Sequence, residues 1–163
     1  MSLLDNLLKE IAEEGATLKQ ALGTDVGHLF EPKPWKTYDQ ELPPPAAFTS
    51  SQKLIANCNE LVALLTPTKV KLLTECVANN STIGLGVAAE FEIAQKIIDN
   101  GGEASVAHLA KVCNTDEHKL ACTMHMLANR HIFVEVAPDI FRNNRHSYEL
   151  RNETGAAAMM TIE

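Results

Sequence analysis

Four side chains that could do chemistry recur along one stretch of the chain, at His118, Cys122, His125 and Asn129. Their three- and four-residue spacing places them on one face of an α-helix. Because imidazole and thiolate groups are preferred zinc ligands, this face could offer donors to a metal ion. However, donors along one straight helix converge poorly on a single ion, and the sequence lacks a second Cys/His pair of standard spacing. We therefore predict no metal site, and interpret His118, Cys122 and His125 as a face that lines a pocket or an interface.

The stretch around this face predicts three helices in succession. Apolar residues from 83 to 98 recur at helical steps and predict one helix, which ends at Asn100-Gly101-Gly102 because glycine adopts the left-handed conformation that ends helices. Ser105 is predicted to cap the second helix and Thr115 the third. Leu120, Met124 and Leu127 form the buried stripe of the third helix.

A β-hairpin is predicted after the third helix. β-branched and aromatic residues stand on both sides of Pro138-Asp139, which are typical turn residues. Three helices followed by a hairpin have the order of a winged helix-turn-helix. The predicted fold class is therefore mainly α, a winged helix-turn-helix with extra N-terminal helices and a small β-hairpin wing.

The balance of basic and acidic residues indicates whether this module could bind DNA. A winged helix that binds DNA needs lysine and arginine to neutralise phosphates. Five basic and five acidic residues cancel between 105 and 150, and the whole chain has a formal net charge of −7. We therefore predict no nucleic-acid partner.

The N-terminal third of the chain divides into two parts. Residues 1–22 have leucine and isoleucine at alternating four- and three-residue steps, which is typical of a helix that packs on another helix. Residues 23–49 hold five of the seven prolines together with four aromatic residues, which predicts an extended arm lying across a protein surface. Thr49 or Ser50 is then predicted to cap the next helix. The predicted organisation is an N-terminal helix (1–22), a Pro-rich arm (23–49), a winged-helix dimerisation domain (50–150) and a tail (151–163).

The helices outside the winged motif carry more apolar surface than its core can cover. Such an excess predicts a partner surface, and a second copy of the chain would supply it in a homodimer. The predicted interface consists of leucine and isoleucine side chains on the N-terminal helices, namely Leu4, Leu8, Ile11, Leu18, Leu54, Leu61 and Leu65.

A resemblance to a known family rests on three segments, which are Ile83-Gly84-Leu85-Gly86-Val87-Ala88 through Asn100-Gly101-Gly102, SVAHLAKVCNTDEHKLACTMHMLANRHIFVEV, and FRNNRHS. They resemble the N-terminal dimerisation domain of caffeic-acid-type and fungal small-molecule O-methyltransferases, over residues 52–146. The resemblance implies a domain that pairs two subunits and caps the substrate pocket of a following catalytic domain. That catalytic domain would use S-adenosyl-L-methionine in secondary metabolism.

The catalytic half of such an enzyme should begin with a strand and a glycine-rich turn that bind the cofactor, and the sequence has no such segment. Gly84-Leu85-Gly86 offers two glycines, but no strand precedes them, so we interpret them as residues of close helix packing. The chain is accordingly expected to hold no catalytic and no cofactor-binding residue. S-adenosylmethionine and a small-molecule substrate are expected only with a catalytic domain. Met159 is expected near the substrate pocket, because the equivalent region of the resembling enzymes leads there.

The remaining expectations concern location and function. The first residues lack the basic start and apolar core of a signal peptide, and no apolar run approaches the roughly 20 residues that span a membrane. We predict a cytoplasmic protein without a membrane partner, either an excised domain or a natural stand-alone relative. Its predicted function is dimerisation and pocket capping in an O-methyltransferase or methyltransferase-like enzyme. The alternative is a stand-alone winged-helix regulator that binds DNA or a protein.

Overall fold

The computed structural model describes residues 2–24 and 27–151, which form helices for the most part and one small antiparallel sheet. The predicted class, mainly α with a small sheet, is confirmed. The chain divides into two compact units, one made of residues 1–27 and 36–76 and the other of residues 28–35 and 77–163. None of the described helices combines the length and the apolar character needed to cross a lipid bilayer.

The first unit contains α1 (Leu3–Leu22), a five-residue π-helix (Lys36–Gln40), α2 (Pro45–Leu65) and α3 (Thr68–Cys76). A capping box starts α1, since the Ser2 hydroxyl accepts the Asp5 N–H at 3.1 Å and the Asp5 carboxylate accepts the Ser2 N–H at 2.8 Å. This helix lies where the sequence predicted it.

The start of α2 differs from the prediction. The helix begins at Pro45 rather than after a cap at Thr49 or Ser50. Proline is tolerated in the first turn because the N–H group it lacks would have no helical partner there. Together with the π-helix, this makes part of the predicted extended arm helical, so the prediction of a wholly extended segment is wrong.

The second unit contains α4 (Asn79–Glu90), α5 (Ile93–Asp99), β1 (Glu103–Ser105), α6 (Val106–Cys113), α7 (Glu117–Asn129), β2 (Phe133–Ala137), β3 (Ile140–Asn143) and a 3₁₀-helix (Ser147–Leu150). The sheet order is β1-β3-β2 with both pairs antiparallel. Residues 28–35 also belong to this unit. Two contacts join this segment to Arg145. The Leu29 carbonyl accepts the Arg145 N–H at 3.2 Å, and the Trp35 ring lies 5.2 Å from the Arg145 guanidinium.

Three local features of this unit differ from the prediction. The helix predicted over residues 83–98 is two helices, because Glu92 adopts a left-handed conformation with φ of 51°. The bend lets α5 place Ile93 and Ile97 wholly inside the core. Asp116, not Thr115, caps α7, with its carboxylate accepting the Lys119 N–H at 2.8 Å. Strand β1 was not predicted.

The core of the second unit lies between the sheet and its helices. Fully buried apolar side chains from α4 to α7 and from the β2–β3 hairpin meet there, including Ile97, Leu109, Met124, Leu127, Phe133 and Phe141. Gly84 is buried where α4 crosses α7, and a Cβ at this position would collide with the methyl end of Met126. This agrees with the prediction that Gly84 serves close helix packing.

Candidate functional site

Helices α1 and α2 pack against each other in an antiparallel pair. Lys53 Nζ donates to Glu14 Oε1 at 2.8 Å, and Asn57 Nδ2 donates to Glu10 Oε2 at 3.2 Å. As residue numbers rise along α2 their partners on α1 fall, which gives the opposite direction. Leu7 of α1 is buried, and so are small residues at the start of α2.

The Glu14–Lys53 contact sets the charge state of both groups. The hydrogen bond from Lys53 lowers the pKa of Glu14 below its ordinary value, with a smaller contribution from Ser50. The same hydrogen bond raises the pKa of Lys53. Both groups are therefore charged at neutral pH, and they form an ion pair across the two helices that remains open to solvent. An exposed pair of this kind contributes little to stability.

The first unit leaves many large apolar side chains exposed. Phe48, Ile55 and Val62 recur every seven residues along α2, so they lie on one side of that helix, and their exposed fractions are 51%, 54% and 62%. None of the residues of α3 is buried. We use the name N-terminal apolar set for the exposed large apolar side chains of α1, α2 and α3, which are Leu3, Leu4, Leu8, Phe48, Ile55, Val62, Leu64, Leu65, Val70, Leu72 and Leu73.

The predicted interface residues fall into two groups. Leu4, Leu8 and Leu65 are exposed and belong to the N-terminal apolar set. The others are partly buried, namely Ile11, Leu18, Leu54 and Leu61. Their participation in a dimer stays a prediction. The predicted list of interface residues did not include Phe48, Val62 or any residue of α3, although the seven-residue repeat along α2 was a signal for the first two.

The face of α7 that was singled out from the sequence is divided between two surroundings. Cys122 lines a cavity of about 320 Å³ between α4 and α7, together with Gly84 and Met126. His118 lines a different cavity of about 300 Å³, beside Val106 and Asp139. The structure therefore does not bring these two side chains into one site.

His125, the third of these residues, lies against the hairpin. Its ring centroid is 5.4 Å from that of the buried Phe141, and its Nε2 lies 3.2 Å from Glu135 Oε1 and 3.3 Å from Asp139 Oδ1. The Asp139 N–H also donates to Glu135 Oε1 at 2.9 Å. This N–H chiefly, and His125 to a lesser degree, lower the pKa of Glu135. Met159, the fourth predicted pocket residue, lies outside the described residues.

Sequence analysis missed Glu135 and Asp139 as partners of His125. Glu135 shortly precedes the predicted turn and Asp139 is part of it, so the hairpin itself was a usable signal that the two residues would lie close together. What the sequence could not give was the approach of that turn to α7, which packing of Phe133 and Phe141 into the core determines.

Comparisons with known proteins find relatives that this chain matches over only a part of their length. No family model matches the chain. It is 25% identical over 150 residues to 3-O-methyltransferase 2 of Phanerochaete chrysosporium, a match that covers 92% of this chain and 34% of that protein. It is 39% identical over 64 residues to an O-methyltransferase of Armillaria gallica, covering 39% of this chain and 14% of the relative. The chain thus spans about a third of the length of the first relative.

The fold is also similar to part of a solved structure. The crystal structure of LaPhzM matches 59% of this chain with a TM-score of 0.53 and 23% sequence identity, over 29% of the LaPhzM chain. At this identity the match concerns the fold alone. Sequence and fold comparisons agree that the chain corresponds to one portion of longer proteins.

Proposed function

Because the chain is related to O-methyltransferases over a part of their length, we propose that it is the dimerisation domain of such an enzyme. The observation that carries this proposal is the N-terminal apolar set, which a second copy of the chain would cover. In this homodimer α1, α2 and α3 of one subunit pack against the same helices of its partner, with Leu4, Leu8 and Leu65 in the interface. The predicted residues Ile11, Leu18, Leu54 and Leu61 lie at its margin.

The size of the apolar set supports a stable association. Fully burying a leucine or valine side chain contributes about 1.5–3 kcal/mol, so covering a half-exposed one contributes about 1 kcal/mol. A two-fold symmetric interface uses each side chain twice, once on each subunit. Covering even a part of the set on both subunits therefore contributes about 10 kcal/mol. This gain is comparable with the free-energy cost of association, which arises because two molecules lose translational and rotational freedom.

The second unit is assigned the pocket-capping part of the proposed function. We propose that α5, α6, α7 and the β2–β3 hairpin form a winged helix that caps the substrate pocket of a catalytic domain. That domain would bind S-adenosylmethionine and a small molecule of secondary metabolism in the cytoplasm. His118, Cys122 and His125 of α7 are the described residues that we propose to face that pocket or interface, although they border separate cavities in the single chain.

No described feature favours the regulator alternative. The first turn of α7 exposes Asp116 and Glu117, which repel phosphate groups. Lys119 and Arg130 are exposed basic residues of the same region, but the nearby acidic side chains offset them. A helix that enters the major groove would need the opposite balance.

Light scattering after size exclusion tests the dimer directly. The full chain is expected to elute with about twice its 17.8 kDa mass. Val62→Glu is expected to weaken the dimer at least tenfold, because two buried charges would replace two valines in the interface. Val62 is 62% exposed in the single chain, so this substitution leaves the monomer fold intact.

Thr49→Glu is the matched control, since it places the same charge at another exposed position of α2. It is expected to keep the dimer. A chain that stays monomeric at high concentration would refute the proposal. So would equal dimer affinities for Val62→Glu and the unchanged protein.

A further inference from the structure

One imidazole nitrogen faces two carboxylate oxygens at the junction of α7 and the hairpin. His125 Nε2 lies 3.2 Å from Glu135 Oε1 and 3.3 Å from Asp139 Oδ1. A ring nitrogen carries at most one hydrogen, which can point well at only one acceptor. A single hydrogen on Nε2 therefore serves only one of the two carboxylate oxygens, and Glu135 Oε1 accepts the Asp139 N–H at 2.9 Å in addition.

A metal ion would satisfy all three atoms at once. Ligands that lie about 2.0–2.2 Å from a tetrahedral zinc ion are about 3.3–3.6 Å from each other. The two distances from His125 Nε2 lie at or just below the lower end of this range, and all three ligand atoms lie within 4.8 Å of one another. The two carboxylate oxygens, which lie no more than 4.8 Å apart, would draw together around the ion.

We propose that His125, Glu135 and Asp139 form a binding site for a divalent transition-metal cation such as Zn²⁺. The site consists of one nitrogen and two carboxylate ligands on one side of the ion. This donor set suits zinc, whereas magnesium and calcium prefer oxygen ligands throughout. The proposal does not depend on dimerisation or on a catalytic domain, because all three residues belong to the second unit of a single chain.

The surroundings hold two of the three ligands in place. The His125 ring packs against the fully buried Phe141, with 60° between the two ring planes. The Glu135 carboxylate is oriented by the Asp139 N–H, which donates at 2.9 Å to the proposed ligand oxygen Oε1 itself. A hydrogen bond to a ligating group, as in the Asp139–Glu135 contact, typically raises metal affinity by about 10–100-fold, because the ligand needs little reordering when the ion binds.

The fourth position of the ion faces solvent. The exposed side-chain fractions of His125, Glu135 and Asp139 are 41%, 35% and 61%, so a water molecule can complete the sphere. Asp139 also borders the 300 Å³ cavity that Glu117 and His118 line. Three protein ligands with one open position are characteristic of zinc sites that bind an exchangeable ligand.

Calorimetric titration of the metal-free, reduced full chain with Zn²⁺ tests the site. One ion per chain is expected to bind with micromolar affinity. His125→Gln and Glu135→Gln are each expected to weaken binding at least tenfold, since each removes one ligand. Asp139→Asn serves as a further variant if either of these fails to fold by circular dichroism.

Cys122→Ser and His131→Gln are the matched controls, because both positions are exposed zinc-binding side chains outside the proposed site. Their affinities are expected to stay within about twofold of the unchanged chain. Absence of binding at millimolar Zn²⁺ would overturn the proposal. Equal affinity in His125→Gln, or loss of binding in Cys122→Ser, would also overturn it.

Discussion

Replacing Asn144 by alanine is expected to destabilise the protein by about 3–5 kcal/mol. Asn144 follows β3 and is fully buried. Its Nδ2 donates to the His131 carbonyl at 2.7 Å, and its Oδ1 accepts the N–H groups of His146 at 2.9 Å and Ser147 at 3.0 Å. One side chain thus joins the end of α7 to the turn that begins the 3₁₀-helix.

The magnitude follows from these three hydrogen bonds. Each contributes about 1 kcal/mol net, and a buried group left without a partner costs a further 1–3 kcal/mol or so. Ser147 is fully buried, so water cannot replace the lost acceptor for its N–H. The His131 carbonyl belongs to an exposed residue, where water can compensate in part. The sum lies at the upper end of what single substitutions usually cost.

Urea unfolding followed by circular dichroism, at a fixed protein concentration, measures this loss. Asn129→Ala is the matched control, because Asn129 is an exposed residue at the end of α7, and it is expected to change stability by less than about 0.5 kcal/mol. Ser147→Ala should give an intermediate loss of about 1–2 kcal/mol, since only the hydroxyl that accepts the Asn144 N–H at 2.9 Å is removed. A loss below about 1 kcal/mol for Asn144→Ala would refute the reasoning.

Three further predictions test the charge and ligand arguments. Lys53→Met should return the pKa of Glu14 toward its ordinary value, as measured by NMR titration of the carboxyl carbon, and an unchanged pKa would show that Lys53 does not control it. Because the folded pKa of Glu14 is lowered, the pair stabilises the fold above the ordinary pKa of glutamate, and this stabilisation is lost as the pH falls through the folded pKa. Calorimetry should detect no saturable binding of S-adenosylmethionine to the chain, and one-to-one binding in the low micromolar range would contradict this. Duplex DNA should show no electrophoretic shift at micromolar protein, whereas a salt-sensitive shift that disappears in Lys119→Glu plus Arg130→Glu would restore the regulator alternative.

Local signals in the sequence were sufficient for several elements of the second unit. Ser105 caps α6 as predicted, with its hydroxyl accepting the His108 N–H at 3.2 Å. Gly101 and Gly102 end α5 with φ of 89° and 99°, and the hairpin turns next to Pro138. These features depend on hydrogen bonds and backbone conformations within about four residues, so neighbouring residue types determine them.

Other features of the same unit depend on contacts between distant residues. No glycine or proline at Glu92 indicates that a helix breaks there. The break accompanies the turn that lets α5 bury Ile93 in the core. Strand β1 has only three residues and exists because Glu103 to Ser105 pair with β3. No pattern of side chains over so short a segment distinguishes a strand from a loop.

The sequence by itself determined that the chain is mainly helical, that its N-terminal helices carry excess apolar side chains, and that its charge is acidic. Periodicity and composition are enough for these properties, because they do not depend on which elements meet. Only the tertiary structure placed His125 beside Glu135 and Asp139 and moved Cys122 and His118 into separate cavities. Spacing along one helix gives the direction of each side chain, but the neighbouring element decides what each side chain contacts, and packing of the buried hairpin residues fixes that neighbour.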